Sequence, residues 1–268
     1  MRMKLIDFHT HFFPDEIAAE TVKYLEDNCG IKALGDGRLA SQIENMDREG
    51  IDISVNAPIA TKSSQVEGIN RKMIEFNAAQ KRVISFGTLH PGYENADEEA
   101  RFLAENGVKG IKMHPEYQSF YPDDGKMKKI YSACIRHNLI LLFHSGADAA
   151  FDIRDTHGTP KRMARVIDSN RGLKLVLAHL GGFRMWDNVF RLLAGKDVYF
   201  DTSLIDEASD SAVKGIIEAH GTDKILFGSD YPWGPPLGTK QRIERFVENE
   251  ADREKIFYKN AERVMGTA

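Results

Sequence analysis

"LILLFHSG", residues 139–146, is a run of Leu, Ile and Phe that stops at a histidine, a serine and a glycine. A short, near-continuous apolar run bounded by turn-forming residues reads as a strand covered on both faces, the pattern of a parallel sheet. Seven more runs share it: "LIDFHTH" (5–11), "ISVNAP" (53–58), "VISFGTLHP" (83–91), "GIKMHP" (110–115), "LKLVLAHLGG" (173–182), "DVYFDTS" (197–203) and "KILFGSD" (224–230). Amphipathic stretches lie between them. "KRMARVIDSNRG" places Met163, Val166 and Ile167 on one helical face and stops at Asn170 and Gly172. "DEASDSAVKGIIEAHG" opens with acids, aligns Val213, Ile216 and Ile217, and ends before Gly221. Eight strands alternating with helices predict a single (β/α)8 TIM barrel, one domain over residues 1–268. An open doubly wound sheet would want a G-x-G-x-x-G turn after an early strand, and none follows these runs. The first unit is the longest, with an extra helix in "PDEIAAETVKYLEDN", a loop, and a second helix in "LASQIENMDREG".

Composition narrows the class. The chain has 268 residues, 42% hydrophobic and 28% charged, which suffices for a large core. A net charge of −4, with basic residues dispersed among acidic ones, recommends neither nucleic acid nor an anionic membrane as partner. Two distant cysteines, Cys29 and Cys134, build neither a disulfide framework nor a thiolate metal site. No apolar run approaches the ~20 residues of a membrane span, so a cytoplasmic setting is expected.

The nine histidines sort by position. His137 and His220 fall in last turns of predicted helices, where a cation complements the dipole or a polar ring meets solvent. His157 lies in the loop after the fifth strand. The other six, His9, His11, His90, His114, His144 and His179, all sit at C-terminal ends of predicted strands, the face that carries active sites in such barrels. Alternation along a strand puts Leu5, Asp7, His9 and His11 on one face. It pairs His144 with Ile140 and Leu142, and His179 with Leu175 and Leu177. Asp230 falls in line with Leu226 and Gly228, the glycine leaving space beneath the acid. Imidazoles and a carboxylate converging on one axis suit zinc or a similar first-row ion.

The ordered series "DFHTHFFP", "GIKMHP", "LLFHSG", "LVLAHLGG", "ILFGSDYPW" and "NAERVMG" resembles the amidohydrolase superfamily. Within it, the series resembles in particular the amidohydrolase-related branch that includes aminocarboxymuconate semialdehyde decarboxylase. The resemblance implies one divalent ion, zinc first and manganese second, held by His9, His11, His144 and Asp230. It also implies that Asp230 takes a proton from a metal-activated water, and that His179 stands beside water or substrate as an acid–base group. Binuclear relatives carry a carboxylated lysine on the fourth strand, so a second metal bridged by Lys112 is the lesser alternative to a substrate-orienting ammonium. His114 is expected to contact substrate. Asp7 is a candidate to fix a ligand's tautomer, with a plain buried acid as the rival reading. Arg184 reads as a surface arginine, with the resemblance offering as the lesser alternative that it holds a substrate carboxylate across a subunit interface; Trp233 reads as a wall of the pocket or loop packing, while His90 is left as a pocket residue.

The leading expectation is a metal-dependent hydrolase of a small ester, lactone or amide. The alternative is a metal-dependent, non-oxidative decarboxylase of a small unsaturated or aromatic acid. A barrel that only binds a ligand would not need the full ligand series. The expected partner is a small-molecule substrate, with a homodimer favoured by analogy.

Overall fold

In the computed structural model, which describes residues 2–267, all eight apolar runs form strands. Met1 and Ala268, the ends of the expected domain, lie outside the described residues. The strands are Ile6–Thr10, Ile53–Asn56, a third in two pieces (Val83–Ser85 and Gly87–Thr88), Gly110–Met113, Ile140–Phe143, Lys174–Leu177, Tyr199–Asp201 and Ile225–Leu226. Each lies parallel to its neighbour, and Phe86 carries the third strand across its break by donating its N–H to Asn56 O at 2.9 Å. The ring closes where Phe8 N–H reaches Phe227 O and Asp230 N–H reaches His9 O, both at 2.8 Å, so no sheet edge is left unpaired there. This is the expected barrel.

Side chains divide into two layers. Ile111, Met113, Leu141, Phe143, Leu175 and Leu177 face outward and pack with helix residues such as Leu103, Ile130 and Met163. Ile140, Leu142, Val176 and Leu226 face inward with Phe8, Val55 and Phe86, and the last helix, Asn260–Met265, packs on this inner layer through Ala261 and Val264. The two-sided burial is why these strands read as apolar without alternation.

The extra helix of the first unit runs Asp15–Cys29 and stops at Gly30, whose φ of 72° needs a residue without a Cβ. The helix Asp210–His220 begins later than its acids suggest, because the Ser209 hydroxyl caps it by accepting Ala212 N–H at 3.2 Å. His220 does not serve as a cation: it stacks on Phe200 with ring centroids 4.0 Å apart and donates to Val198 O at 3.0 Å. Burial pushes its pKa down to about 4. Cys134 is buried as expected, its thiol pushed up to about 12 by burial. No described helix is long and apolar enough to cross a membrane.

Candidate metal centre and its cavity

At the C-terminal mouth of the barrel, His9, His11 and Asp230 meet. His11 Nε2 lies 3.0 Å from Asp230 Oδ1, His9 Nε2 lies 3.4 Å from the same oxygen, and the two Nε2 atoms are 3.2 Å apart. His179 and His144 stand beside them: His179 Nε2 faces His144 Nδ1 at 3.0 Å, and the His9 and His179 ring centroids are 5.4 Å apart. His144 groups more tightly with His114 and Asp148 than with the first three.

Hydrogen bonds at the back of each ring set its tautomer. His9 Nδ1 donates to Asp201 Oδ2 at 2.9 Å, which leaves Nε2 as a lone pair aimed at the centre. His144 Nε2 donates to Ala147 O at 2.8 Å, leaving Nδ1 as a lone pair. Ser203 gives its hydroxyl proton to Asp201, so it accepts from His179 Nδ1 at 2.8 Å and leaves His179 Nε2 as a lone pair as well. Burial pushes the His179 pKa well below its ordinary value, keeping the ring neutral. Burial opposes ionisation of Asp230, but when His9 and His11 carry protons their charge outweighs it and holds the carboxyl well below the usual carboxylate range.

Two of these histidines reach the centre against simple alternation. Ile6 and Phe8 face inward, so His9 should face out with Leu5; the register against the second strand shifts between Asp7 and Thr10 and resets it. Leu175 and Leu177 are outward residues, so the face assigned to His179 is the helix face. His179 and Leu180 take φ of 61° and 52°, and this left-handed step turns the ring into the barrel. Asp230 also has positive φ, 69°. Such backbone in non-glycine residues costs on the order of 1–3 kcal/mol each and is held by its surroundings. Gly228 leaves the expected space: a Cβ there would stand 3.1 Å from His9 Cβ and 3.2 Å from Asp201 Cβ.

Lys112 and His114 both enter the cavity, while Ile111 and Met113 pack outward, as the fourth strand predicts. Lys112 is 1% exposed and donates from Nζ to His9 Nε2 at 2.9 Å. Burial lowers its pKa to about 8 against the pull of Asp230, Asp201 and Asp148. His114 stacks on His144 at 4.0 Å, and burial pushes it down to about 3, so it is neutral and donates toward Asp148 Oδ2 at 3.2 Å.

Asp7 does not touch a ring. It accepts from Ser229 N (2.9 Å), Ser229 Oγ (2.5 Å) and His9 N (3.3 Å), tying the first strand to the turn that carries Asp230. Burial raises it to about 7. The tautomer role belongs to Asp201, which alternation from Tyr199 would have found, because Tyr199 packs on the inner layer. Asp148 lies in a loop whose composition gives no such signal. Arg184 pairs with Glu207 at 2.8 Å on the surface. His90 accepts Gly92 N–H at 3.0 Å within its own turn and does not line the cavity, whereas Trp233 does.

Residues 6–267 match the family profile described as Amidohydrolase. The chain belongs to the amidohydrolase family. No curated protein matches this amidohydrolase by sequence. Among solved structures, 5-carboxyvanillate decarboxylase LigW from Sphingomonas paucimobilis superposes with a TM-score of 0.73 at 18% identity, covering 100% of both chains. The 2,6-dihydroxybenzoate decarboxylase from Rhizobium gives 0.72 at 18% identity over 99% of each chain. A dihydroxybenzoic acid decarboxylase from Polaromonas sp. JS666, with bound manganese and the inhibitor 2-nitroresorcinol, gives 0.72 at 18% identity, covering 99% of this chain and 97% of that one. At such identities the likeness is one of fold.

The donor set of this amidohydrolase fits a divalent cation. Asp230 Oδ1 is buried without a hydrogen-bond partner, 3.0 Å from His11 Nε2 and 3.4 Å from His9 Nε2, whose lone pair is aimed at the same point. Electron pairs aimed at one another repel unless a positive charge sits among them.

Proposed function

We propose that this amidohydrolase family member is a metal-dependent carboxy-lyase that removes carbon dioxide, without oxidation, from a small aromatic or unsaturated carboxylic acid. His9, His11 and Asp230, with His144 alongside, would hold one zinc- or manganese-like ion. When bound, a divalent cation supplies Lewis acidity and positive charge at the cavity floor. The observation that carries the proposal is the contrast between floor and walls. A cavity of about 710 Å³ has Lys112 and its imidazole groups gathered at the floor, while Phe12, Phe183, Tyr117 and Trp233 stand among its walls and no arginine among the described residues lines it. Such a site presents one carboxylate to the polar floor and covers a flat apolar body with aromatic faces. The similarity to decarboxylases of hydroxylated aromatic acids supports the same reading.

In this reaction the bond between the ring carbon and the carboxylate breaks, the electron pair stays on that carbon, and a proton joins it there. Lys112 holds and orients the carboxylate before the bond breaks, and His114 lines the cavity beside it. Asp230 and His179 face the floor, where either is placed to hand over the proton that joins the carbon. Hydrolysis of an ester, lactone or amide, the first expectation from the sequence, would use the same residues, and the similarity to decarboxylases favours the lyase over it. Chain length does not separate the two, since the superposition on LigW covers all of both chains.

The test is incubation of zinc- or manganese-loaded protein with a panel of hydroxybenzoic acids in D2O. Carbon dioxide release, with one deuterium at the vacated ring position, is expected. Turnover of lactones or esters with every aromatic acid left intact would replace the lyase by a hydrolase.

A further inference from the structure

The cavity is larger than the site at its floor requires. Its volume of about 710 Å³ falls in the range that takes a drug-sized ligand, roughly 300–1,000 Å³, well beyond a single ring with a carboxylate. The excess is apolar and continuous with the polar floor. Two helices build it. From Asp15–Cys29 come Ile17, Tyr24 and Leu25, and from Val66–Ala79 come Ile69 and Met73.

The first helix buries the stripe next to this one. Ala18 and Val22 pack against the protein, whereas Ile17, Thr21, Tyr24 and Leu25, at the i, i+4, i+7, i+8 spacing of one stripe, line the cavity. In a helix that serves only the fold, such a stripe would be covered. Here Ile17 is 49% and Tyr24 61% exposed. Ile69 and Met73, one turn apart, continue the surface and are themselves only half-buried. An apolar surface left wet beside a site is covered when ligand arrives.

We propose that the substrate is an amphipathic aryl acid: a carboxylated ring at the floor bearing an apolar chain of several carbons, which lies along Ile17, Tyr24, Ile69 and Met73. This deepens the carboxy-lyase reading and rests on it for the reacting end only. The chain is uncharged, because among the described residues the surface it meets carries no charged group other than Lys72 at the rim. Its grip is hydrophobic, so it grows with the number of carbons buried.

The experiment uses the full-length, metal-loaded protein and a series of 4-alkylbenzoates and 4-alkyl-2-hydroxybenzoates with chains of increasing length. Binding is read by calorimetry and carbon dioxide release is read separately. Affinity is expected to rise about fourfold for each methylene until the surface is filled. The exposed positions allow variants that keep the core: Ile17→Gln with Tyr24→Ser should reduce that dependence to about twofold or less per methylene. Affinity that is flat or falls with chain length overturns the proposal, even where carbon dioxide is released from the short acids and the lyase reading stands. A chain-length dependence that the double variant leaves unchanged overturns the placement on this helix. Tightening with chain length but no carbon dioxide from any acid supports the apolar surface and overturns the lyase reading instead.

Discussion

Replacing Asp201 by Asn tests how the candidate centre is prepared for a cation. Asp201 Oδ1 accepts from His179 N at 2.9 Å, Ser203 N at 3.0 Å and the Ser203 hydroxyl, while Oδ2 accepts from His9 Nδ1 at 2.9 Å. An asparagine can keep its single oxygen on the three donors only by turning its NH2 toward His9. The alternative orientation sets NH2 against three N–H and O–H groups and costs more. With an NH2 donor at its back, His9 must accept at Nδ1 and carry its proton on Nε2, which then points an N–H, not a lone pair, at Asp230 and His11. Loss of such an orienting partner lowers metal affinity by about 10–100-fold, or roughly 1.4–2.7 kcal/mol. Removing a charged acceptor from a fully buried network should also lower folding stability by about 2 kcal/mol. The assay is competition for zinc against a chromogenic chelator, starting from chelator-treated protein, with nitrogen NMR of the imidazoles reporting the tautomer. An Asp201→Asn protein that still folds and binds zinc as tightly as the wild type would refute the reasoning, because His9 Nε2 would then be no ligand or its tautomer would be set elsewhere.

Three further outcomes are expected. His179→Asn should lower turnover by at least about 100-fold and leave zinc content near one ion per chain, whereas His144→Asn should weaken zinc as well; equal zinc loss in both would place His179 among the ligands. Lys112→Met removes an ammonium that burial holds at about 8, so metal-free protein should resist urea better, by up to about 3 kcal/mol, while binding of carboxylic acids weakens. A wild type that carries two ions, one lost in this variant, would reverse the one-metal reading. His220 has its pKa pushed from 6.5 down to about 4, so the unfolded chain binds the extra proton first. Its contribution is fully present above pH ~6.5 and is lost as pH falls toward 4, amounting to about 2 kcal/mol at pH 5. His220→Phe, which keeps a ring on Phe200, should show a pH 7 to pH 5 stability change smaller by that amount in urea titrations, and an unchanged pH dependence would remove His220 as its source.

The amino-acid sequence by itself determined the barrel and its catalytic end. Burial of the strands on both faces writes itself into short runs such as residues 139–143, and the placement of His9, His11, His144, His179 and Asp230 at the C-terminal ends of such runs follows from chain order alone. Gly228 was legible too, since a glycine two residues before an acid on an inward face has a steric meaning that needs no partner. What alternation could not supply was the direction of the rings. His9 points inward because the pairing of Ile6–Thr10 with Ile53–Asn56 slips between Asp7 and Thr10. His179 points inward because Asp201 and Ser203, from the next strand, accept its N–H groups and hold its backbone at positive φ. Both depend on residues distant in the chain, as does the choice of Asp201 over Asp7 as partner for His9. Local sequence records what each segment prefers; which carboxylate reaches which imidazole is decided only when the strands close into a ring and their registers are fixed against one another.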